Sequence, residues 1–156
     1  MAHINSSQGN WEEYELENPL GITNWVLNSI TRELTIRSTV EIGNREKAPW
    51  FDLRFEVEFA LLLEGVSSIC NQAFKGHIRL KSFIIPNTVI SIGNQAFAFC
   101  FELKSVSIPD SVKIIGADAF IRCNFSSFKI PRSVVSFSSN PFVQCRNLEV
   151  IDVSEN

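Results

Sequence analysis

The sequence predicts a β-rich α/β solenoid, a right-handed coil of about four turns with a repeat period of 22 to 23, preceded by an N-terminal β-hairpin cap. Three observations lead there. The second part of the chain repeats at a fixed period, each repeat carries a strand-like apolar pattern, and the segment before the repeats alternates apolar and polar residues.

The chain is 156 residues long, the size of one domain, and a domain of that length buries roughly 70% of its unfolded surface. Apolar residues make up 45% and charged residues 20%, which excludes a disordered polar chain. The first twenty residues have neither a basic start nor an apolar stretch, and the longest apolar run is FALLL at 59–63. No signal peptide and no membrane span are therefore expected in the chain as given.

Charge divides the chain near Gly65. Residues 1–64 hold 11 acidic and 5 basic side chains, net −6, and residues 65–156 hold 6 and 9, net +3. Such a small basic surplus is not the dense basic face of a nucleic-acid binder, so nucleic acid is excluded as a partner.

The repeats begin at the same point. The units are 65–87, 88–110, 111–132 and 133–156. Val66, Val89, Val112 and Val134 recur at intervals of 23, 23 and 22, as do Phe74, Phe97, Phe120 and Phe142. Leu80, Leu103, Phe125 and Leu148 recur at intervals of 23, 22 and 23, because the third unit lacks one residue between Cys123 and Phe125. This period falls within that of leucine-rich repeats, whose strand reads LxxLxL. Here the strands are LKSFII, LKSVSI, FSSFKI and LEVIDV, and Pro86, Pro109 and Pro131 end three of them. Proline lacks the N–H needed to extend a ladder. Each strand leads through an apolar segment such as VISIG into one turn built around Ala-Phe, or around Asn140-Pro141 in the last unit.

A single unit cannot hide its apolar face. Stacked about 4.8 Å apart, four units bury a continuous core in which Phe74, Phe97, Phe120 and Phe142 form a ladder. In this register the run AFAFCFEL at 96–103 is not a strand. Phe97 is core, whereas Phe99 aligns with Gly76, Arg122 and Gln144, and Phe101 aligns with Ile78 and Arg146. Phe99 and Phe101 are expected to be partly exposed, Phe99 over the stem of Arg122 and Phe101 on Ile78, or to be offered to a partner. Gly76 suggests a left-handed backbone at the Phe99 position.

Before the repeats, ELTIRSTVEI alternates as a half-buried strand does and pairs with WVL in a hairpin. Residues 19–64 are read as the N-terminal cap that a repeat array needs, and residues 1–18 as a mostly solvated acidic arm.

The pattern SVxxIGxxAFxxCxxLxxVxIPxSV resembles the BspA-like leucine-rich repeats of bacterial surface proteins and adhesins. The match is close at Ser111, Val112, Ile115, Gly116, Ala119, Phe120 and Cys123. The lead-in also resembles that family in Trp25-Val26-Leu27, Leu34-Thr35-Ile36, Pro49-Trp50 and FALLLEGV, but it has Arg37, Ser38 and Thr39 where glycines are usual. The resemblance implies a cell-surface or secreted protein that recognises protein or glycan.

The last strand ends close to Asn156 with no polar cap after it. Either the chain is a fragment of a longer array or the last coil is covered, a homodimer through that end being the weaker expectation. Cys100, Cys123 and Cys145 occupy one repeat position, with His77 there in the first unit. Ligands in a row do not converge as a zinc site requires, and core packing of the thiols is the expected outcome, with neither disulfide nor metal. His3 and His77 have no nucleophile or carboxylate at a recognisable spacing, and His77 is expected to be exposed or half-buried. No phosphate loop occurs among the scattered glycines. No enzymatic activity and no cofactor are expected.

What remains is a surface. The side chains between the core positions of LxxLxL point onto the sheet face: Lys81, Ser82 and Ile84, then Lys104, Ser105 and Ser107, then Ser126, Ser127 and Lys129, then Glu149, Val150 and Asp152. The candidate binding residues are Lys81, Ile84, Lys104, Ser107, Lys129, Phe99 and Phe101. Lysines there would steer an acidic protein or glycan. The alternative is a structural spacer with no binding site of its own.

Overall fold

A computed structural model describes residues 11–18, 21–38, 48 and 50–153. His3, Thr39 and Pro49 lie outside the described residues. The lead-in forms β1 (Trp11–Asn18), β2 (Gly21–Asn28) and β3 (Glu33–Ser38). The expected hairpin is β2–β3, antiparallel with Trp25 opposite Ile36 and Leu27 opposite Leu34. Its turn is held by Asn28, whose Oδ1 accepts from the N–H groups of Ile30 and Thr31, both at 3.0 Å. Trp11–Asn18, read from the sequence as part of a solvated arm, instead pairs antiparallel with β2 along its whole length. From Glu13 to Glu17 acidic and apolar residues alternate, which suits an added strand as well as an arm.

From β3 onward the pairing is parallel. β3 is followed in the sheet by β4 (Phe59–Leu62), and the coils then alternate a longer strand with a two-residue one: β5 (Ser68–Ile69), β6 (Ser82–Ile84), β7 (Ser91–Ile92), β8 (Ser105–Ser107), β9 (Ile114–Ile115), β10 (Ser127–Ile130), β11 (Ser136–Phe137) and β12 (Val150–Val153). One face is the sheet β1-β2-β3-β4-β6-β8 continued by the pair β10-β12, and the other is β5-β7-β9-β11. Phe59 lies opposite Ser82, one repeat period further along the chain. The solenoid therefore starts before residue 65 and has five strands of the LxxLxL type, β4, β6, β8, β10 and β12, because Val57, Ala60 and Leu62 already fill the core positions of that pattern.

The core runs between the two faces. Phe74, Phe97, Phe120 and Phe142 stack with ring centroids 5.5, 5.4 and 5.7 Å apart and planes within 11°. Trp50 continues the ladder into the lead-in, 5.6 Å from Phe74, with its indole N–H donating to the Ala73 carbonyl at 3.0 Å.

The α part of the expected α/β class does not form. Among the described residues the only helix is a 3-10 turn at Phe51–Leu53. Around Ala-Phe, alternate N–H groups close turns within the coil, as Ala98 does on Gln95, and donate to the next coil, as Phe97 does to Ala119 at 2.8 Å. Gln95 and Phe99 have positive φ (54° and 63°), which breaks any right-handed helical run.

Candidate interaction surface

On the long-strand face the register fixes three outward rows. Glu58, Lys81, Lys104, Ser126 and Glu149 share one, since the N–H groups of Lys81, Lys104 and Glu149 donate to Glu58, Lys81 and Ser126. Phe59, Ser82 and Ser105 form the second, and Leu61, Ile84 and Ser107 the third. By repeat position Ser127 and Val150 extend the second row, and Lys129 and Asp152 extend the third. Lys129 therefore stands in the row of Ile84 and Ser107, not in that of Lys81 and Lys104.

Charge on this face is less basic than composition suggests. Glu58 bonds Lys81 and also Arg79, at 3.0 Å. The hydrogen bond from Lys81, with the charges of Lys81 and Arg79, holds the Glu58 carboxyl below the usual carboxylate range. Lys81 is thus paired across one coil spacing, and its ammonium lies 5.8 Å from the Phe59 ring. Lys104 and Lys129 are exposed and make no ion pair among the described residues. Ile84 is 61% exposed in the middle of the face.

The second candidate region is the coil edge. Gly76, Phe99, Arg122 and Gln144 all have left-handed backbones, with φ of 78°, 63°, 60° and 58°. Gly76 adopts this freely, but a side chain at that position costs about 1–2 kcal/mol. Phe99 offsets the strain through contacts: the Lys75 ammonium lies 5.6 Å and the Arg122 guanidinium 5.5 Å from its ring. Phe101 is 48% exposed, and its ring meets Phe99 edge-on at 6.2 Å. Only Phe97 of the three is fully buried, as its place in the ladder requires.

Beside Phe101 is an open notch of about 420 Å³, lined also by Arg122, Cys123, Asn124, Gln144, Arg146 and Asn147. In the sequence the missing residue of the third unit is only a change of spacing, with no sign that it shapes this surface. Leu80, Leu103 and Leu148 each close a turn on the carbonyl three residues back, at His77, Cys100 and Cys145. In the shortened unit Asn124 donates to Leu103 instead, and the long-strand ladder is interrupted between β8 and β10.

The cysteine row lies just inside this edge. The thiols of Cys100, Cys123 and Cys145 donate to the carbonyls of Phe74, Phe97 and Phe120 in the preceding coil, at 3.2, 3.2 and 3.0 Å. All four cysteines are thiols. Burial pushes the Cys123 thiol up, and Cys145 up to about 11. His77, expected to be exposed or half-buried, is fully buried, because the row it shares with the cysteines faces the core. Its Nδ1 lies 3.0 Å from the Phe74 carbonyl, and burial lowers its pKa to about 4. It is a neutral core side chain.

The repeat geometry has a counterpart among known families. The model of the BspA type leucine rich repeat region, built of six copies, matches residues 67–156. The chain belongs to this family. Solved structures agree on the architecture. A leucine-rich repeat protein from Eubacterium ventriosum superposes with a TM-score of 0.74 at 22% identity, over 95% of this chain and 45% of its own. One from Bacteroides ovatus gives 0.66 at 22% identity, over 97% and 39%. The pneumococcal vaccine antigen PcpA gives 0.56 at 16% identity, over 98% and 50%. This chain spans less than half of the first two and half of the third. No curated protein matches it.

Within this BspA-type chain, Trp50 is a ladder member that the sequence pattern does not reveal. It precedes Phe74 by one position more than the regular period, in a segment without LxxLxL. Arg122, Asn124, Gln144, Arg146 and Asn147 are also absent from the site expected from sequence. Only the shortened spacing of the third unit could have pointed to them.

Proposed function

We propose that this BspA-type chain is a non-enzymatic recognition module of a bacterial surface-exposed or secreted leucine-rich repeat protein, binding protein or glycan in an adhesive setting. One observation carries the reading. On the long-strand face Ile84 stands exposed among the hydroxyls of Ser82, Ser105 and Ser107, and Lys104 and Lys129, on the two following coils, make no ion pair among the described residues. Phe59, on the neighbouring strand, is exposed as well, and apolar side chains grouped within a polar rim are the usual form of a recognition patch. Unpaired lysines favour an acidic partner, chiefly through its rate of association. The backbone-to-backbone ladders fix the rows, so contact needs little ordering of the module itself. PcpA, described as a vaccine antigen, supports a surface setting.

The test uses immobilised polyglutamate and a sulfated polysaccharide as acidic probes, with the chain 1–156 and a variant carrying Lys81→Glu, Lys104→Glu and Lys129→Glu. Retention of the parent at low salt, lost in the triple variant, is the expected result. Equal retention of both would leave the face as solvated surface and return the chain to the spacer reading.

A further inference from the structure

The notch at the coil edge has a chemistry of its own. Its walls come from two different units, Phe101 in the second and Arg146 with Asn147 in the fourth, and its floor is Asn124 of the shortened third unit. Two coil spacings separate the walls, about 10 Å. A gap of that width accommodates one compact unit. Its volume of about 420 Å³ lies within the range of small-molecule sites.

The lining contains two guanidinium groups, three carboxamides and one aromatic ring, and no carboxylate. Internal bonds occupy two of the three carboxamide oxygens and leave donors. Arg122 Nε donates to Gln144 Oε1, which turns the Gln144 amide nitrogen away from it, because a guanidinium can only donate. Asn147 Nδ2 donates to Asn124 Oδ1 at 2.6 Å, which leaves the Asn124 amide nitrogen for a ligand. Arg146 is exposed and makes no ion pair among the described residues. Phe99 holds Arg122 at 5.5 Å and Phe101 at 6.2 Å, so both stand against a fixed ring.

We propose that the notch is a binding site for a carboxylate-bearing sugar unit, a uronate or sialate, of an acidic glycan. The carboxylate goes to Arg146, where charge-assisted and bidentate geometry is available. The ring hydroxyls meet the amides of Asn124 and Gln144, and the C–H face of the sugar lies on Phe101. An acidic peptide would satisfy the arginine, but it has no flat apolar face for the ring and needs a longer groove. The proposal rests on the chain being a recognition module, but it concerns a different surface from the sheet face.

The experiment is an amide NMR titration of the chain 1–156 with methyl glucuronide and with methyl N-acetylneuraminate, with methyl glucoside and triglutamate as controls. Saturable shifts confined to the surroundings of Phe101, Asn124, Gln144 and Arg146, seen with at least one acidic sugar and not with the glucoside, are expected. Arg146→Ala and Asn124→Ala should each weaken binding by about tenfold, and a glycine inserted after Asn124, which restores the regular spacing, should abolish it. Lys104→Glu should leave it unchanged, which separates this site from the sheet face. Equal binding of the glucoside, shifts with triglutamate alone, unaltered binding in both substitutions, or no shift with any probe would overturn the proposal.

Discussion

Phe97→Ala tests the ladder most directly. Phe97 has no exposed surface and lies 5.5 Å from Phe74 and 5.4 Å from Phe120, nearly parallel to both, with Phe83 edge-on at 4.8 Å. Truncating a buried aromatic costs about 3–5 kcal/mol, and the amount depends on how far the site can collapse. Here collapse is opposed. The coils on either side are held at fixed spacing by Phe74 N–H to Ala96 and Phe97 N–H to Ala119, both at 2.8 Å. The upper part of the range, about 4 kcal/mol, is expected, and at this chain length it lowers the melting temperature by about 8–16 °C. Urea unfolding followed by far-ultraviolet circular dichroism measures it. Because each coil contacts only its neighbours, a reduced slope would show the halves unfolding separately. Phe101→Ala, at a half-exposed ring, should change stability by no more than about 0.5 kcal/mol. A loss below about 1 kcal/mol for Phe97→Ala, or equal losses for the two, would refute the register.

Two further outcomes are expected. His77 titrates at about 4 in the fold and near 6.5 when unfolded, so the unfolded chain binds the extra proton first. Its contribution is complete above pH 6.5 and falls by about 3 kcal/mol by pH 4; His77→Cys, matching the other units, should flatten the difference curve in that window, and an unchanged pH profile would contradict burial of a neutral imidazole. Gly116→Ala should destabilise by about 1–3 kcal/mol in chemical denaturation, because the new Cβ would lie 2.5 Å from the Asn94 backbone nitrogen and 2.6 Å from its Oδ1, the atom that accepts from Ala117 N–H; unaltered stability would show that the coils can separate there at no cost.

What was legible in the sequence was whatever period and alternation encode. The positions of Phe97, Leu103, Val89 and Pro86 needed only counting, because each unit must bury the same face. The β2–β3 hairpin followed from the alternation of ELTIRS against WVL. Features set by contacts between coils were not legible. Glu58 neutralises Lys81 from the neighbouring coil, across the change of charge and pattern at residue 65 that reads in sequence as the start of the array. His77 reads as exposed or half-buried because histidine is only intermediate in its preference for the interior, but its row, shared with Cys100 and Cys123, faces inward. The left-handed backbones of Phe99 and Arg122 were signalled only by Gly76, the one residue of that row with no Cβ to strain.

The missing residue of the third unit shows how far a small change in spacing reaches. On the inside of the coil it changes nothing: Phe97, Phe120 and Phe142 keep their stack, because the deletion falls after Cys123 and is absorbed before Phe125. On the outside, the turn that Leu80, Leu103 and Leu148 close in their own units is gone, Asn124 bonds back to Leu103, and the ladder between β8 and β10 lapses. The core tolerates the loss because its stabilisation lies in the stacked rings. The edge is where it is felt, and there the shortened connection leaves Arg146 and Phe101 facing each other across a gap. A strictly periodic array would present the same edge at every coil. One omitted residue makes a single place on it unlike the rest, and a compact ligand needs such a place to bind at one position.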